Sequence, residues 1–527
     1  MSARIIKGDQ VVLESRHHNF SKYVLDHLRN AKPHDVCLEN YDTGEKLTFA
    51  QFTEYSVKLS AALSGLGVTK GDVVAVGCEK RISYLPTTLA VAFTGAAWTS
   101  FDSKIGKTVL RHELNLSRPK YVICSVLFWE TYSNLLNRCK FIQTVISFED
   151  NIENIDLSIP KMMSNSVDVE SFDPADVEGQ TDIALILYSS GTTGLPKGVL
   201  LSHLACTLGC LPKKFQDQSI RTVITCGCWS HRYDLFSCYA VLCAGRKIVF
   251  SANHVTHTAT KCFPKIIQDC KVNMAILVPS LVSHLANAED KCDLSSLKEI
   301  FSAALPLPSK DIEKIKARIP TLKNVLQIYG MTEAGEITTG SWETKGPKSG
   351  SVGMACPGIK LKVVDLKTRE ILGPNQQGEI CVQGPSVMKE YIGMNSSEYL
   401  DQEGFMLSGD LGYYDEDAYF YIVGRLKDML CFDGFMVAPL ELESVLLSHP
   451  DVQDASVVGK PAGVLGEEPA AFVVLKPGAT LTEQQLREYL APQVPPYMQL
   501  RGGVKFVPEL PRDSQGKIKR QQLKELL

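Results

Sequence analysis

At 527 residues the chain is too long for one hydrophobic core, so two or more domains are expected. Hydrophobic content of 44% and charged content of 22% are those of an ordinary globular protein, and a net charge of -4 leaves no basic surface for nucleic acid. No run of about 18 apolar residues predicts a membrane span, and 16 cysteines without a C-x-x-C pair read as buried reduced thiols rather than disulfides or metal ligands.

The N-terminus, M-S-A-R-I-I-K-G-D-Q, lacks the apolar core of a secretory signal. Up to about residue 180 the pattern alternates between helix and strand. Leu47–Leu63 has helical apolar spacing, with Thr48 as N-cap. Asp72–Gly77, Tyr121–Ser125 and Thr144–Phe148 read as buried strands, and Leu85–Phe93 as a helix. Such alternation predicts α/β architecture with parallel sheets.

Ile183–Leu187 (I-A-L-I-L) reads as a further buried strand, and Tyr188–Val199 follows as Y-S-S-G-T-T-G-L-P-K-G-V. Gly lets backbone N–H groups approach a ligand closely. Hydroxyls, N–H groups and one Lys suit a polyphosphate. The order G-x-x-x-x-G-K-[ST] is absent, so this is not a Walker A loop. Further on come W-S-H-R-Y-D-L (Trp229–Leu235), a strand over Val272–Ser280 ending at Pro279, F-S-A-A-L-P-L (Phe301–Leu307) and Q-I-Y-G-M-T-E-A-G (Gln327–Gly335). Gly378–Pro385 reads as a strand with a turn. Then follow S-G-D (Ser408–Asp410), V-G-R-L-K (Val423–Lys427), C-F-D-G-F-M-V-A-P-L-E-L-E (Cys431–Glu443) and L-R-G-G-V-K-F-V…G-K-I (Leu500–Ile518).

Together these stretches resemble the adenylate-forming superfamily, which comprises acyl-CoA synthetases, adenylation domains of peptide synthetases and beetle luciferases. The likeness runs from about residue 20 to 527, and the tail is especially similar to luciferases and insect luciferase-like acyl-CoA synthetases related to 4-coumarate–CoA ligases. It implies a large α/β N-terminal domain (1–423) with parallel sheets and a small barrel-like part. A small mobile α+β domain (424–527) would pivot near Gly424–Lys427. The ATP phosphates would lie against Ser189, Ser190, Gly191, Thr192, Thr193, Gly194 and Lys197. Ala304, Tyr329 and Gly330 would flank adenine, and Asp410 and Arg425 would hold the ribose. Thr332 would bond the α-phosphate, with Thr192 and Glu333 serving Mg²⁺. His231, Tyr233 and Gln327 would border the carboxylic acid, and Lys517 would reach its carboxylate.

The chain departs from the family pattern in places. Two glycines of the adenine turn are Ala303 and Ala304, and Ala tolerates positive φ poorly. Two lysines and a glutamine are Cys431, Asp433 and Met436, and a pivot Asp is Gly424. Arg232 and Asp234 are foreign to the acid-site segment. They either enter the pocket, implying a polar or charged acid, or point away as an ion pair. Three functions stay open: an acid–CoA ligase using ATP, Mg²⁺ and CoA, a luciferase-type monooxygenase using O₂, and a nucleotide-binding pseudoenzyme. The partner is a small carboxylic acid. The tail L-K-E-L-L lacks the peroxisomal S-K-L that many luciferases carry, so a cytoplasmic location is expected.

Overall fold

The computed structural model describes all residues except 1–3, 165, 190–195, 213–216, 253–256, 289, 341–345, 433–434 and 513–516. It has the mixed α/β architecture expected. An eight-stranded sheet is built on three parallel strands, Ala97–Asp102, Val73–Cys78 and Tyr121–Cys124. β1 (Ile183–Ser189) extends it in parallel, and β2 (Lys197–Ser202) turns back antiparallel, setting Lys197 opposite Ser189. The stretch expected to hold phosphate begins on β1 and ends on β2, and its residues 190–195 lie outside the described residues.

The second sheet has nine strands. Helix α1 (Arg232–Cys243) follows one of its strands, Thr222–Thr225. β3 (Glu299–Ser302) and β4 (Asn324–Met331) run parallel, with Ser302 opposite Gln327. β4 hairpins antiparallel into β5 (Gly335–Thr339). All ten residues of the helix Tyr84–Phe93 are buried, as a helix enclosed on every side requires. Thr88 of that helix hydrogen-bonds Tyr239 of α1 at 2.8 Å, which joins the two helices inside one core.

A short strand, β6 (Glu390–Tyr391), pairs antiparallel with β2. The barrel-like part is a five-stranded sheet that ends in the antiparallel pair β7 (Met406–Tyr414) and β8 (Phe420–Arg425). After β8, the hairpin β9 (Leu430–Phe432) and β10 (Phe435–Val437), the helix α2 (Pro439–Ser448) and the sheet β11 (Val452–Pro461), β12 (Glu467–Leu475) and β13 (Gly503–Phe506) enclose their own apolar cluster. Glu443 of α2 is buried and forms a two-pronged ion pair with Arg520, while the Val457 N–H donates to the same carboxylate at 2.7 Å. This bond set joins α2, β11 and the last helix of the chain.

Local sequence chemistry accounts for most elements. Thr48 caps the helix Phe49–Gly65 and forms a capping box with Gln51, satisfying N–H groups that the helix leaves unpaired. The strand expected over Val272–Ser280 is shorter, Met274–Leu277. Pro279 opens the helix Pro279–Asn287 instead of closing the strand. Its fixed φ and missing N–H suit a first helical position. All 16 cysteines are free thiols. No helix among the described residues is long and apolar enough to cross a membrane.

Candidate active site

The two strand ends of the nine-stranded sheet position the nucleotide motifs. After β3 comes the S-A-A-L-P-L turn, and the end of β4 carries Y-G-M-T-E. In α/β sheets, ligands bind beyond the carboxyl ends of parallel strands. Gln327 links the two: its Oε1 accepts the Leu307 N–H at 2.8 Å. The side chain expected to border the acid thus also fixes the turn expected at adenine. Within that turn Ala304 takes φ +83°, the left-handed conformation that Cβ disfavours. The chain keeps the glycine-like backbone without the glycine. Gly330 has a real steric reason: a Cβ there would lie 2.3 Å from the Gly335 carbonyl oxygen across the β4–β5 hairpin.

Asp410 on β7 is buried at 2% exposure, and β7 pairs it with Arg425 on β8. Arg425 Nε lies 2.8 Å from Asp410 Oδ1, and the Tyr329 hydroxyl donates to Oδ2 at 2.5 Å. The resemblance implies adenine contact for Tyr329; the structure adds a direct bond from it to Asp410, the carboxylate expected at the ribose. Burial pushes the Asp410 carboxyl above the usual range, and Arg425 opposes that shift. Each carboxylate oxygen has a second lone pair, so capacity for sugar hydroxyls remains.

Glu333 is the second buried carboxylate, at 5% exposure. The Tyr391 hydroxyl donates to its Oε1 at 2.7 Å. Tyr391 lies on β6, which pairs with β2, and Lys197 Nζ at the start of β2 stands 4.9 Å from the Tyr391 ring centre. The hydroxyl of Ser189 also faces Tyr391. Among the described residues no cation lies within ion-pair distance of Glu333. A buried carboxylate without a directly paired cation is costly, and hard oxygen donors are what Mg²⁺ takes. Glu333 therefore fits a divalent cation. Ser190, Gly191, Thr192, Thr193 and Gly194 lie outside the described residues, as do Asp433 and Gly434.

Sequence gave no hint of Tyr391. It sits in K-E-Y-I-G on a two-residue strand, too short to leave a periodicity. Its role depends on pairing with a strand about 190 residues earlier.

His231 is the N-cap residue of α1 and Tyr233 is half-buried against the main core. The ion pair posed for Arg232 and Asp234 is not formed: the two side chains bond elsewhere. Arg232 is 4% exposed and donates to the carbonyls of Thr332 and Ser386 at 2.8 and 2.7 Å. Asp234 Oδ1 accepts the Gly227 N–H at 3.0 Å, and a Cβ at Gly227 would lie 2.0 Å from Asp234 Oδ2. Buried Lys80 donates to the carbonyls of Thr225 and Gly227. Burial raises Asp234 to about 6, with Lys80 pulling the other way. Both unexpected charges take backbone partners, although among the described residues Arg232 Nε is buried without one.

Lys517 is half-buried on the C-terminal side, beside Ile518, which packs on the small cluster around Phe472 and Leu523. Cys431 is exposed on β9. A Cβ at Gly424 would meet only Met429 Sδ, at 3.7 Å, so sterics do not demand glycine there.

A family model described as AMP-binding enzyme matches residues 25–392, and one described as AMP-binding enzyme C-terminal domain matches residues 441–517. The chain is 34% identical to a luciferin 4-monooxygenase of Nipponoluciola cruciata, over 95% of this chain and 92% of the relative. It is 33% identical to 4-coumarate–CoA ligase 1 of Petroselinum crispum, over 93% and 90%. Its fold is similar to ATP-bound MatB from Rhodopseudomonas palustris, with a TM-score of 0.85, 26% identity and coverage of 97% and 98%.

Proposed function

The chain belongs to the AMP-binding enzyme family and is an adenylate-forming enzyme, and we propose that it is an acid–CoA ligase. ATP and a carboxylic acid would give acyl-AMP and pyrophosphate, and the thiol of CoA would then displace AMP. The observation that carries this reading is the pair of buried carboxylates. Asp410 is bridged to Tyr329 and Arg425, and Glu333 is held by Tyr391 beneath Lys197.

In this reading Asp410 accepts the ribose hydroxyls and Arg425 fixes that carboxylate. Tyr391 orients Glu333 toward the phosphates and Lys197 adds charge beside them. Mg²⁺, when bound, would neutralise phosphate charge and polarise the attacked phosphorus. Thr332 would bond the α-phosphate, and Thr192 would join Glu333 at the metal. His231 and Tyr233 would border the acid. Lys517 would donate to the acid's carboxylate, stabilising charge as it develops. Residues 1–423 would form the adenylation domain, and 424–527 a domain that changes pose between half-reactions.

Carboxylate-dependent exchange of labelled pyrophosphate into ATP tests the first half-reaction, and formation of an acyl thioester with CoA tests the second. No exchange across short, long and aromatic acids would overturn the proposal in favour of a nucleotide-binding pseudoenzyme. A second reading, oxidation of the adenylate by O₂ with light, is favoured by the 34% identity to a luciferin 4-monooxygenase. Light from a luciferin with ATP and O₂ discriminates it. Exchange with thioester product and no light would support the ligase.

A further inference from the structure

Three consecutive carbonyls bracket the Glu333 side chain, and each has a dedicated donor. The Thr332 carbonyl accepts Arg232 at 2.8 Å, the Glu333 carbonyl accepts the Met388 N–H at 2.6 Å, and the Ala334 carbonyl accepts the Ser386 hydroxyl at 2.9 Å. Two of these donors come from one segment, 386–391, which also supplies Tyr391 to the Glu333 carboxylate. Arg232 is different. It comes from the first turn of α1, between His231 and Tyr233, 100 residues before Thr332. Its second donor goes to the Ser386 carbonyl, so one guanidinium spans both walls of the turn.

Arg232 is almost wholly buried, and it forms no ion pair among the described residues. Its ligands are neutral carbonyls, with Glu333 and Glu336 acting on it only at longer range. The guanidinium also fills the space beside Gly335, which takes φ +76° and where a Cβ would lie 3.1 Å from the Arg232 side chain. A desolvated arginine is expensive to bury, and its planar fork is suited to holding two acceptors in fixed geometry.

We propose that Arg232 is a positioning residue that ties the acid-bordering helix to the Thr332–Glu333 turn, so that the metal–nucleotide turn is held in register from the acid side. It acts through the Thr332 and Ser386 carbonyls and does not touch substrate itself. The inference rests on the reading of Glu333 as the residue facing Mg²⁺ and the ATP phosphates.

Calorimetric binding with the full chain tests it. AMP reads the Asp410–Arg425 ribose site, and ATP titrated with Mg²⁺ reads the Glu333 turn. For Arg232→Met, the half-saturating Mg²⁺ concentration with ATP rises about ten-fold, the scale seen when residues that support a metal ligand are removed. AMP affinity stays within two-fold. Arg232→Lys, which keeps the charge and one donor toward Thr332, recovers part of the Mg²⁺ dependence and is the variant to use should Arg232→Met fold poorly. Equal losses for AMP and Mg-ATP, or no change in either, would overturn the proposal. Failure of the unaltered protein to bind Mg-ATP would instead overturn the functional reading beneath it.

Discussion

Replacing Ala304 by Gly should stabilise the protein, although most substitutions destabilise. Ala304 holds φ +83° and is exposed, so removing its methyl group sacrifices little buried apolar surface. An L-residue in the left-handed region costs roughly 1–2 kcal/mol. Against this, glycine gains conformational freedom in the unfolded chain, worth about 0.4–1 kcal/mol. The net expectation is a gain of about 0.5–1 kcal/mol. The turn should hold its place, because Leu307 remains bonded to Gln327. Unfolding entropy scales at about 2 cal/mol/K per residue, so for a large domain the midpoint rises by only about 1 °C. Differential scanning calorimetry at matched protein concentration resolves that shift. AMP binding provides a second measure: with the methyl gone from the adenine turn, affinity should stay level or rise. A midpoint lowered by 1 °C or more would show that the Ala304 backbone is not strained in solution.

Three other substitutions probe separate parts of the fold. Tyr391→Phe keeps the ring under Lys197 but removes the hydroxyl donated to Glu333; since supporting bonds to metal ligands are worth about 10–100-fold, pyrophosphate exchange should fall by about ten-fold or more, and a change under two-fold would refute the role. Glu443→Ala strands Arg520, and breaking a buried pair costs about 3–5 kcal/mol; limited proteolysis should show the C-terminal part cut much faster than the rest, and equal protection would count against it. Glu113 is raised to about 8 by burial, from an unfolded value near 4.5. Its protonated form favours the folded state, so its contribution is complete below about pH 4.5 and is lost as pH rises through 8. Glu113→Gln should therefore gain stability relative to the parent between pH 5 and 8 in urea titrations, and a difference independent of pH would contradict the burial argument.

Much of the fold was legible in the chain. Strand and helix positions follow from apolar period, and the Thr48 cap depends on Gln51 only three residues away. The unusual backbone at Ala304 was foreshadowed by alanine in a turn that glycine ordinarily occupies. Arg232 and Asp234 were visible as foreign charges, but their partners were not. Each bonds to backbone groups, and a backbone group has no letter in the sequence. Likewise Pro279 is equally at home after a strand or at the start of a helix, and only the surrounding chain chose.

The sequence by itself determined the motifs, the layered α/β architecture and the membership in the AMP-binding enzyme family. Interactions between near neighbours and hydrophobic periodicity act within a few residues, so they can be read along the chain. Only the tertiary structure decided that Tyr391 holds Glu333, that Tyr329 and Arg425 share Asp410, and that Arg232 spans from helix α1 to the Thr332 carbonyl. Those bonds join residues 58, 81, 15 and 100 positions apart, and they form only when sheet pairing brings separate strand ends together.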